Sequence, residues 1–414
     1  MKASQRPFVV PQGPETSAAV GDVAMGALER ATAALVRWVK DCACPLWSKT
    51  GLDSDHRRFE ERLSLDGSRL PDVPIRLLSQ ARQIYVYALA AKREWHPGAS
   101  TLIEQAYSSM VRDYHGRDGV GGWVFSIHRD GRVADARRDF YAHAFVLLAI
   151  ASYVGATGES TELDRADETL AFIDRHMADP EQRGFLEEFP PTDALRRQNP
   201  HMHLFESLLA LWECSGNAHY LERAGRLFDL FASRFFRSDF GVVCEHFSAK
   251  LEPAPGLAGS LVEPGHHYEW VWLLRRFERA GGHPVQNFVD PLYRHAHRHG
   301  HDRDGLIVDE LLVDGRHHMR SRRTWPIAEA IKANIVEAEL GREGAVARAA
   351  ALSEALMRHF LLPAPRGGWI DRLDESGNPA TDFMPASTFY HVASAIDELD
   401  RFVTRRTQPE SHAI

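Results

Sequence analysis

The chain has 414 residues, of which 44% are hydrophobic and 26% charged, and this composition is ordinary for a soluble globular protein. Its net charge of −8 argues against general nucleic-acid binding, because proteins of that class usually present a basic face. The four cysteines are too few and too scattered for a disulfide framework, and they show no zinc-binding spacing.

The chain ends and hydropathy suggest one cytoplasmic domain. Residues 1–20 lack the continuous apolar region of a signal peptide, and no run of eighteen apolar residues predicts a membrane span. No linker or composition break divides the chain. We therefore predict a flexible tail over 1–20, a single catalytic domain over 21–405 and a C-terminal tail over 406–414, without a membrane or nucleic-acid partner.

Helical periodicity dominates the rest of the chain. Gly158, Gly216 and Gly281 stand where helices should end, and Pro264, Pro326 and Pro385 stand where helices should begin. The pattern predicts twelve helices in six pairs, over 23–46, 74–95, 98–115, 139–156, 161–178, 199–216, 218–237, 265–281, 284–299, 324–340, 343–361 and 385–403.

Polar residues recur inside these apolar segments at intervals of 60 to 63 residues, namely at Arg82, His143, His203, His266, Glu329 and His391. An independent series of loop glycines has nearly the same period. Three loop stretches, 121–131, 304–315 and 367–377, resemble β-hairpins, and two of them contain Asp-Gly at the turn. The chain is therefore built from six repeats of about sixty residues.

A helix pair that cannot bury its apolar face alone must stack on its neighbours. An open solenoid would need capped ends, whereas a closed ring would not. Six repeats with long loops on one side favour an all-α fold, an (α/α)6 barrel with short β-hairpins in the loops on one face. The helices that carry the recurring polar residues would form its inner wall.

The segment 198–212 places Asn199, His203 and Glu206 on one helical face, since they are spaced by four and three residues. Burying such groups without partners would cost several kcal/mol. They therefore predict either the wall of a polar cavity or a hydrogen-bond network between helices.

The segment 263–274 repeats this logic, with His266 and Glu269 three residues apart. A carboxylate beside an imidazole fixes its tautomer and raises its basicity, as a general base near neutral pH requires. Metal binding is the alternative reading. However, the di-metal bundle motif has the opposite order, Glu-x-x-His, so we predict no metal and no cofactor.

Further candidates fall in the other repeats. His391 lies on the last inner helix, and Arg82 is a cation among apolar residues that needs a carboxylate or an oxygen-rich ligand as its partner. Aromatic and acidic residues that could contact a substrate are Tyr141, Trp325, Glu329 and Trp369. The Walker, Rossmann and GxSxG motifs are absent from the sequence, and several histidines around a cavity favour proton transfer on a polar organic substrate.

These residues also carry a resemblance. The stretches FYAHAF, NPHMHLFESLLAL, EPGHHYEWVWLL and YHVASAIDEL resemble the N-acylglucosamine 2-epimerase superfamily, in the same order and from about residue 50 to 400. That superfamily includes mannose isomerases and cellobiose 2-epimerases and has an (α/α)6-barrel fold. Many of its members have two tryptophans where this chain has Thr324-Trp325.

The resemblance implies roles for individual residues. It implies that His266 is the general base, that His391 is its acid/base partner and that His203 contacts the sugar. Residues that would bind or orient the substrate are Arg82, Asn199, Glu206, Glu269 and Trp369.

The predicted function is interconversion of an aldose and a ketose, of the mannose and fructose type, through an enediol. The same residues would serve a 2-epimerase of the glucose/mannose or N-acylglucosamine type. Two other classes remain open, namely a glycoside hydrolase that recruits glutamates on the same barrel and a non-catalytic sugar-binding protein. The expected partner is a small sugar, and the protein is expected to be a monomer or a homodimer.

Overall fold

The computed structural model describes residues 14–192 and 195–407, so the predicted tails lie largely outside the described part. The helices are α1 (Pro14–Trp38), α2 (Cys44–Lys49), α3 (Leu77–Lys92), α4 (Ala99–Tyr114), α5 (Phe140–Thr157), α6 (Leu163–His176), α7 (Gln198–Ser215), α8 (Ala218–Leu230), α9 (Pro264–Arg279), α10 (Gln286–His299), α11 (Thr324–Glu339), α12 (Ala345–Leu356) and α13 (Phe389–Thr407). Helix α1 begins inside the stretch predicted to be a tail. Its continuation is the π-helical segment Val39–Ala43, and similar segments, Phe231–Phe235 and Met357–Leu361, follow α8 and α12.

Helices α3, α5, α7, α9, α11 and α13 form the inner ring, and α1, α4, α6, α8, α10 and α12 pack around it. Strands β1 to β18 are short and lie in the loops: Leu52–Asp53, Arg58–Phe59, Arg62–Ser64, Ile75–Arg76, Ser126–Ile127, Val133–Asp135, Arg138–Asp139, Glu188–Phe189, Arg196–Arg197, Phe236–Arg237, Val242–Val243, His246–Phe247, Leu261–Val262, Glu310–Leu312, His317–Met319, Arg322–Arg323, Arg372–Leu373 and Phe383–Pro385.

The ring is closed by contacts between the first and last repeats. Strand β18 pairs antiparallel with β3, and Met384 lies opposite Leu63. The side-chain amide of Gln83 on α3 donates to the Ala386 carbonyl oxygen (2.8 Å). Because these contacts join residues about three hundred positions apart, the fold is the closed (α/α)6 barrel and not an open solenoid.

The loop strands mostly join one repeat to the next, as in the pairs β7·β8, β9·β12, β13·β14 and β16·β17. Two of the three predicted hairpins form as strand pairs, β5·β6 and β14·β15. The third forms as a short hairpin around the turn at Asp374–Asn378, where Leu373 bridges antiparallel to Pro379. Strand β17 also pairs with β16 of the preceding repeat.

Three histidines in the first turns of inner helices attach the loops to the ring. The Nε2 atoms of His143, His201 and His267 accept hydrogen bonds from the backbone N–H groups of Trp123 (3.2 Å), Phe185 (3.0 Å) and Val243 (3.1 Å). Burial lowers the pKa of His143 to about 4, which keeps it neutral as an acceptor. His143 therefore belongs to this structural set, although it shares the sixty-residue period of the other recurring polar residues.

Helix α5 is long and apolar enough to cross a membrane by length and composition, and the sequence analysis did not anticipate this. However, 72% of it is buried inside the protein. It packs against α3 and α7, so the barrel core accounts for its hydropathy.

Candidate active site

Three histidines from three repeats each place Nδ1 against a buried carboxylate. The pairs are His203 with Glu206 (2.9 Å), His266 with Glu245 (2.9 Å) and His391 with Glu329 (2.6 Å). An ionised carboxylate only accepts hydrogen bonds, so opposite each ionised glutamate Nδ1 carries a proton and donates it. Nε2 of each ring makes no hydrogen bond to the described residues and is the nitrogen left for a ligand.

These histidines lie together at one end of the inner ring. Glu269 joins two of them, since its carboxylate lies within 4.8 Å of a ring nitrogen of His203 and within 4.8 Å of a ring nitrogen of His391. Trp325 contacts both His266 and His391, because its ring centroid lies 4.8 Å from that of His266 and 5.5 Å from that of His391. The structure therefore brings together residues that are far apart in the sequence.

A glycine allows Trp325 to reach this position. Gly265 is in the first turn of α9, and a Cβ atom there would lie 2.6 Å from the indole ring of Trp325. Any side chain at residue 265 would push this ring away from its place between the two histidines.

His266 and His391 have opposite charge preferences. Burial opposes the charged form of His266, but the carboxylates of Glu245 and Glu263 outweigh it and raise the pKa of His266 to about 9. Burial lowers the pKa of His391 well below its usual value, and the cations Arg82 and Lys332 lower it further. At pH 7 His266 is therefore an imidazolium and His391 is a neutral imidazole.

Glu269 is fully buried, and neither of its carboxylate oxygens has a hydrogen-bond partner in the described structure. Burial, together with the nearby charge of Glu329, raises the pKa of Glu269 well above its usual value. The sequence analysis expected Glu269 to orient His266, and this was wrong. Glu245 does so instead, and Glu269 lies 3.9 Å from Nε2 of His203. An unpartnered buried carboxyl group at this place is suited to a hydroxyl group of a ligand.

Glu329 connects His391 to Lys332, whose Nζ lies 2.7 Å from Glu329 Oε2 and 3.6 Å from the centroid of the Trp272 ring. Burial raises the pKa of Glu329 to about 7 against the opposing effect of Lys332. Lys332 was missed in the sequence analysis, although its spacing of three residues from Glu329 on one helix could have indicated it. Glu245 was missed because it lies on a loop with no periodic signal.

Arg82 and Tyr141 form a further part of the site, next to His203. Arg82 donates from Nη2 to the Tyr141 hydroxyl (2.7 Å) and from Nη1 to the Ser387 carbonyl oxygen (3.1 Å), and its guanidinium stacks 4.1 Å from the Phe145 ring centroid. Asn199, in the first turn of α7, has a buried Oδ1 without a partner among the described residues. Arg82, Tyr141 and Asn199 therefore present polar atoms close to the histidines.

Trp369 does not join this group. Its ring is fully buried, stacks on Trp47 with 5.1 Å between centroids and packs against Phe389 at 5.5 Å. The prediction that Trp369 contacts the substrate is therefore corrected, because this aromatic cluster fills the space between the inner and outer helices.

The cluster contains donor sets that could hold a cation. Three groups have donor atoms within 4.8 Å of one another, namely His203/Glu206/Glu269, Glu245/Glu263/His266 and Glu269/Glu329/His391. Each group contains a histidine–carboxylate contact of 2.6 to 2.9 Å, which is a hydrogen-bond distance. In each group the histidine and one carboxylate thus satisfy each other, whereas Glu269 has no hydrogen-bond partner among the described residues. The absence of a required metal remains a prediction.

Comparison with known proteins gives consistent matches. The profile of the N-acylglucosamine 2-epimerase (GlcNAc 2-epimerase) family matches residues 59–395. A mannose-6-phosphate isomerase of Rhizobium meliloti (strain 1021) is 34% identical over 382 residues, covering 90% of this chain and 97% of that protein. A D-mannose isomerase of Thermobifida fusca is 30% identical over 294 residues, covering 66% of this chain and 71% of that protein. The solved structure of cellobiose 2-epimerase from Bacillus thermoamylovorans B4167 has a TM-score of 0.82 at 18% identity, covering 89% of this chain and 99% of that one, and shows the same fold.

Proposed function

Because the chain belongs to the N-acylglucosamine 2-epimerase family of sugar isomerases and epimerases, we propose that it interconverts an aldose and a ketose of the mannose and fructose type. The names of the relatives, a mannose-6-phosphate isomerase and a D-mannose isomerase, support an isomerase acting on a mannose-type sugar. The observation that carries the proposal is the opposite charge preference of His266 and His391, which both contact Trp325 and whose Nε2 atoms make no hydrogen bond to the described residues. One ring can accept a proton at neutral pH while the other can donate one.

In the proposed first step, the open-chain aldose lies within reach of Nε2 of both rings. Nε2 of neutral His391 removes the proton from C2, and the C–H electron pair forms the C1=C2 double bond. The carbonyl π electrons move to O1, which takes a proton from Nε2 of cationic His266, so the product is a neutral enediol. Each well-placed proton-transfer group contributes typically about 10²- to 10⁴-fold in rate.

In the second step, His266 takes the proton from the hydroxyl group on C2, and His391 returns its proton to C1. This gives the ketose and restores both histidines. The ring charges favour His391 as the base in the direction from aldose to ketose, whereas the resemblance implied His266. Arg82 would hydrogen-bond to a sugar oxygen as negative charge develops on it, and His203 and Glu269 would hold hydroxyl groups.

A 2-epimerase would use the same residues. In that case O1 would stay an enediolate oxygen held by Arg82, and cationic His266 would give its proton to C2 on the face opposite His391. The C1=O bond would re-form to give the C2 epimer, and the two histidines would regain their starting protonation by exchange with solvent. The fold match with a cellobiose 2-epimerase and the contacts of both histidines with Trp325 keep this as the second candidate. The glycoside hydrolase alternative has less support, because Glu206 and Glu329 are each hydrogen-bonded to a histidine, which suits orientation better than protonation of a leaving group.

The test is proton NMR of the protein with mannose, glucose, fructose or cellobiose in D₂O. Isomerisation predicts fructose from mannose with deuterium incorporated at C1, whereas epimerisation predicts glucose with deuterium at C2. Release of monosaccharide from cellobiose would support a hydrolase. No change in any of these sugars or in their 6-phosphates, with no deuterium exchange, would refute the proposed enzyme. Cytoplasmic location, independence of metal and cofactor, and a monomeric or homodimeric state also remain proposals.

A further inference from the structure

A cavity of about 500 Å³ opens at the end of the barrel that carries the loop strands. We call it the mouth cavity, and the lining residues that matter here are Arg76, Arg137, Tyr141, Glu187, Glu188 and Arg197. Tyr141 connects it to the site, because its hydroxyl accepts from Arg82 and its ring centroid lies 5.2 Å from that of His203. Tyr141 therefore lines the cavity on one side and contacts the group around His203 on the other.

The ion pairs of the mouth cavity expose their cations and bury their anions. The side chains of Arg76, Arg137 and Arg197 are 38%, 41% and 42% exposed, whereas those of their partners Glu61, Glu188 and Glu187 are 9%, 15% and 13% exposed. Asp139 also lines the cavity, but burial raises the pKa of its carboxyl group, and Asp135 is a second partner of Arg137. The arginines are therefore balanced by acids, but an incoming group meets the guanidinium groups of Arg76 and Arg197 before their less exposed partners.

Arg197 retains donors for such a group. Its Nε and backbone N–H donate to Glu187 (2.7 and 2.6 Å), while both Nη atoms make no hydrogen bond to the described residues. Arg137 makes two longer ion-pair contacts, Nη1 with Glu188 (3.5 Å) and Nε with Asp135 (3.4 Å), and its guanidinium stacks 3.9 Å from the Phe125 ring centroid. Arg197 and Arg76 also precede the first residues of α7 and α3, so two positively polarised helix ends lie at this cavity. Guanidinium groups with free Nη atoms bind phosphate oxygens as two-pronged donors.

The histidine cluster has the opposite character. Five buried or nearly buried glutamates, namely Glu206, Glu245, Glu263, Glu269 and Glu329, stand there against the cations Arg82, Lys332 and His266. Even with the raised pKa values of Glu269 and Glu329, the acids match the cations, so a dianionic phosphate is attracted less to this cluster than to exposed guanidinium groups. The two regions together therefore orient a molecule that is neutral at one end and anionic at the other.

We propose that the mouth cavity binds the phosphate group of a hexose 6-phosphate, through Arg137, Arg197 and Arg76, while C1 and C2 of the same sugar lie at His391 and His266. This inference rests on the proposed isomerase function and names its substrate class. It makes the three arginines determinants of specificity for phosphorylated over free sugar.

The experiment compares mannose 6-phosphate with mannose, by turnover and by isothermal titration, in the full-length protein and in the variants Arg137→Gln and Arg197→Lys. The lysine keeps a charge for Glu187 but loses the second donor. We expect the wild-type protein to prefer mannose 6-phosphate in kcat/KM, and each variant to lower the ratio of the two values about tenfold or more. The control is Arg316→Gln, an arginine 74% exposed that pairs with Asp314 away from this cavity and should leave the ratio unchanged.

The failure of this inference can be told from failure of the isomerase. If mannose 6-phosphate binds and the variants weaken its binding, but neither sugar is converted, the phosphate site stands and the proposed reaction fails. If both sugars are used equally, or if the variants leave the ratio and the affinity for mannose 6-phosphate unchanged, the phosphate site is refuted while the isomerase stands. If mannose 6-phosphate does not bind at all, the inference is also refuted.

Discussion

The charge on His266 depends on Glu245, so the substitution Glu245→Gln tests the proposed chemistry directly. Glu245 Oε2 lies 2.9 Å from His266 Nδ1, both side chains are buried, and the pKa of His266 is raised to about 9. A glutamine keeps the length of the side chain and an acceptor oxygen but removes the charge. Glu263, whose Oε2 lies 3.9 Å away, retains part of the effect.

An adjacent opposite charge typically shifts a pKa by about 1 to 3 units. Each unit corresponds to about 1.4 kcal/mol. The pKa of His266 should therefore fall from about 9 to roughly 6 to 8. At pH 8 the imidazolium fraction would drop by about 2- to 90-fold, whereas at pH 6 it would drop by at most about twofold.

The assay is the pH profile of kcat/KM from pH 5.5 to 10, because its limbs report the pKa values of the free enzyme. We expect the alkaline limb of Glu245→Gln to move to lower pH while the acid limb, set by His391, stays in place. Glu252→Gln is the matched control, because Glu252 is an exposed glutamate of the same loop region. An alkaline limb that does not move, with the variant folded and active, would refute the assignment of His266 as the acid.

Three further outcomes are expected. His391→Asn should lower kcat about 10²- to 10⁴-fold and abolish deuterium exchange at C2, measured by NMR, with little change in melting temperature. Lys332→Met removes the buried partner of Glu329 and should lower the free energy of unfolding by about 3 kcal/mol, measured by urea denaturation. Because the folded-state pKa of His266 is raised from 6.5 to about 9, its contribution to stability is complete below pH 6.5 and is lost as the pH rises through about 9. The melting temperature should therefore fall over this range, and less so in Glu245→Gln.

The sequence by itself determined the repeat, the helix pairs and the barrel. A period of about sixty residues and an apolar face on each helix leave few ways to bury the hydrophobic surface, and the loop-strand pair β3·β18 confirmed closure of the ring. It also determined contacts within one helix. The pairing of His203 with Glu206 follows from a spacing of three residues, because side chains at that spacing share a helical face.

Only the tertiary structure decided which carboxylate orients each of the other two histidines. Glu245 and His266 are 21 residues apart in the sequence, and Glu329 and His391 are 62 apart. These residues lie on elements whose orientation and position relative to each other depend on packing across the whole ring. Packing likewise placed Trp369 in an aromatic cluster away from the histidines. Helical periodicity identifies which side chains share a face, but the distance between faces of different helices is set by the close packing of the complete core.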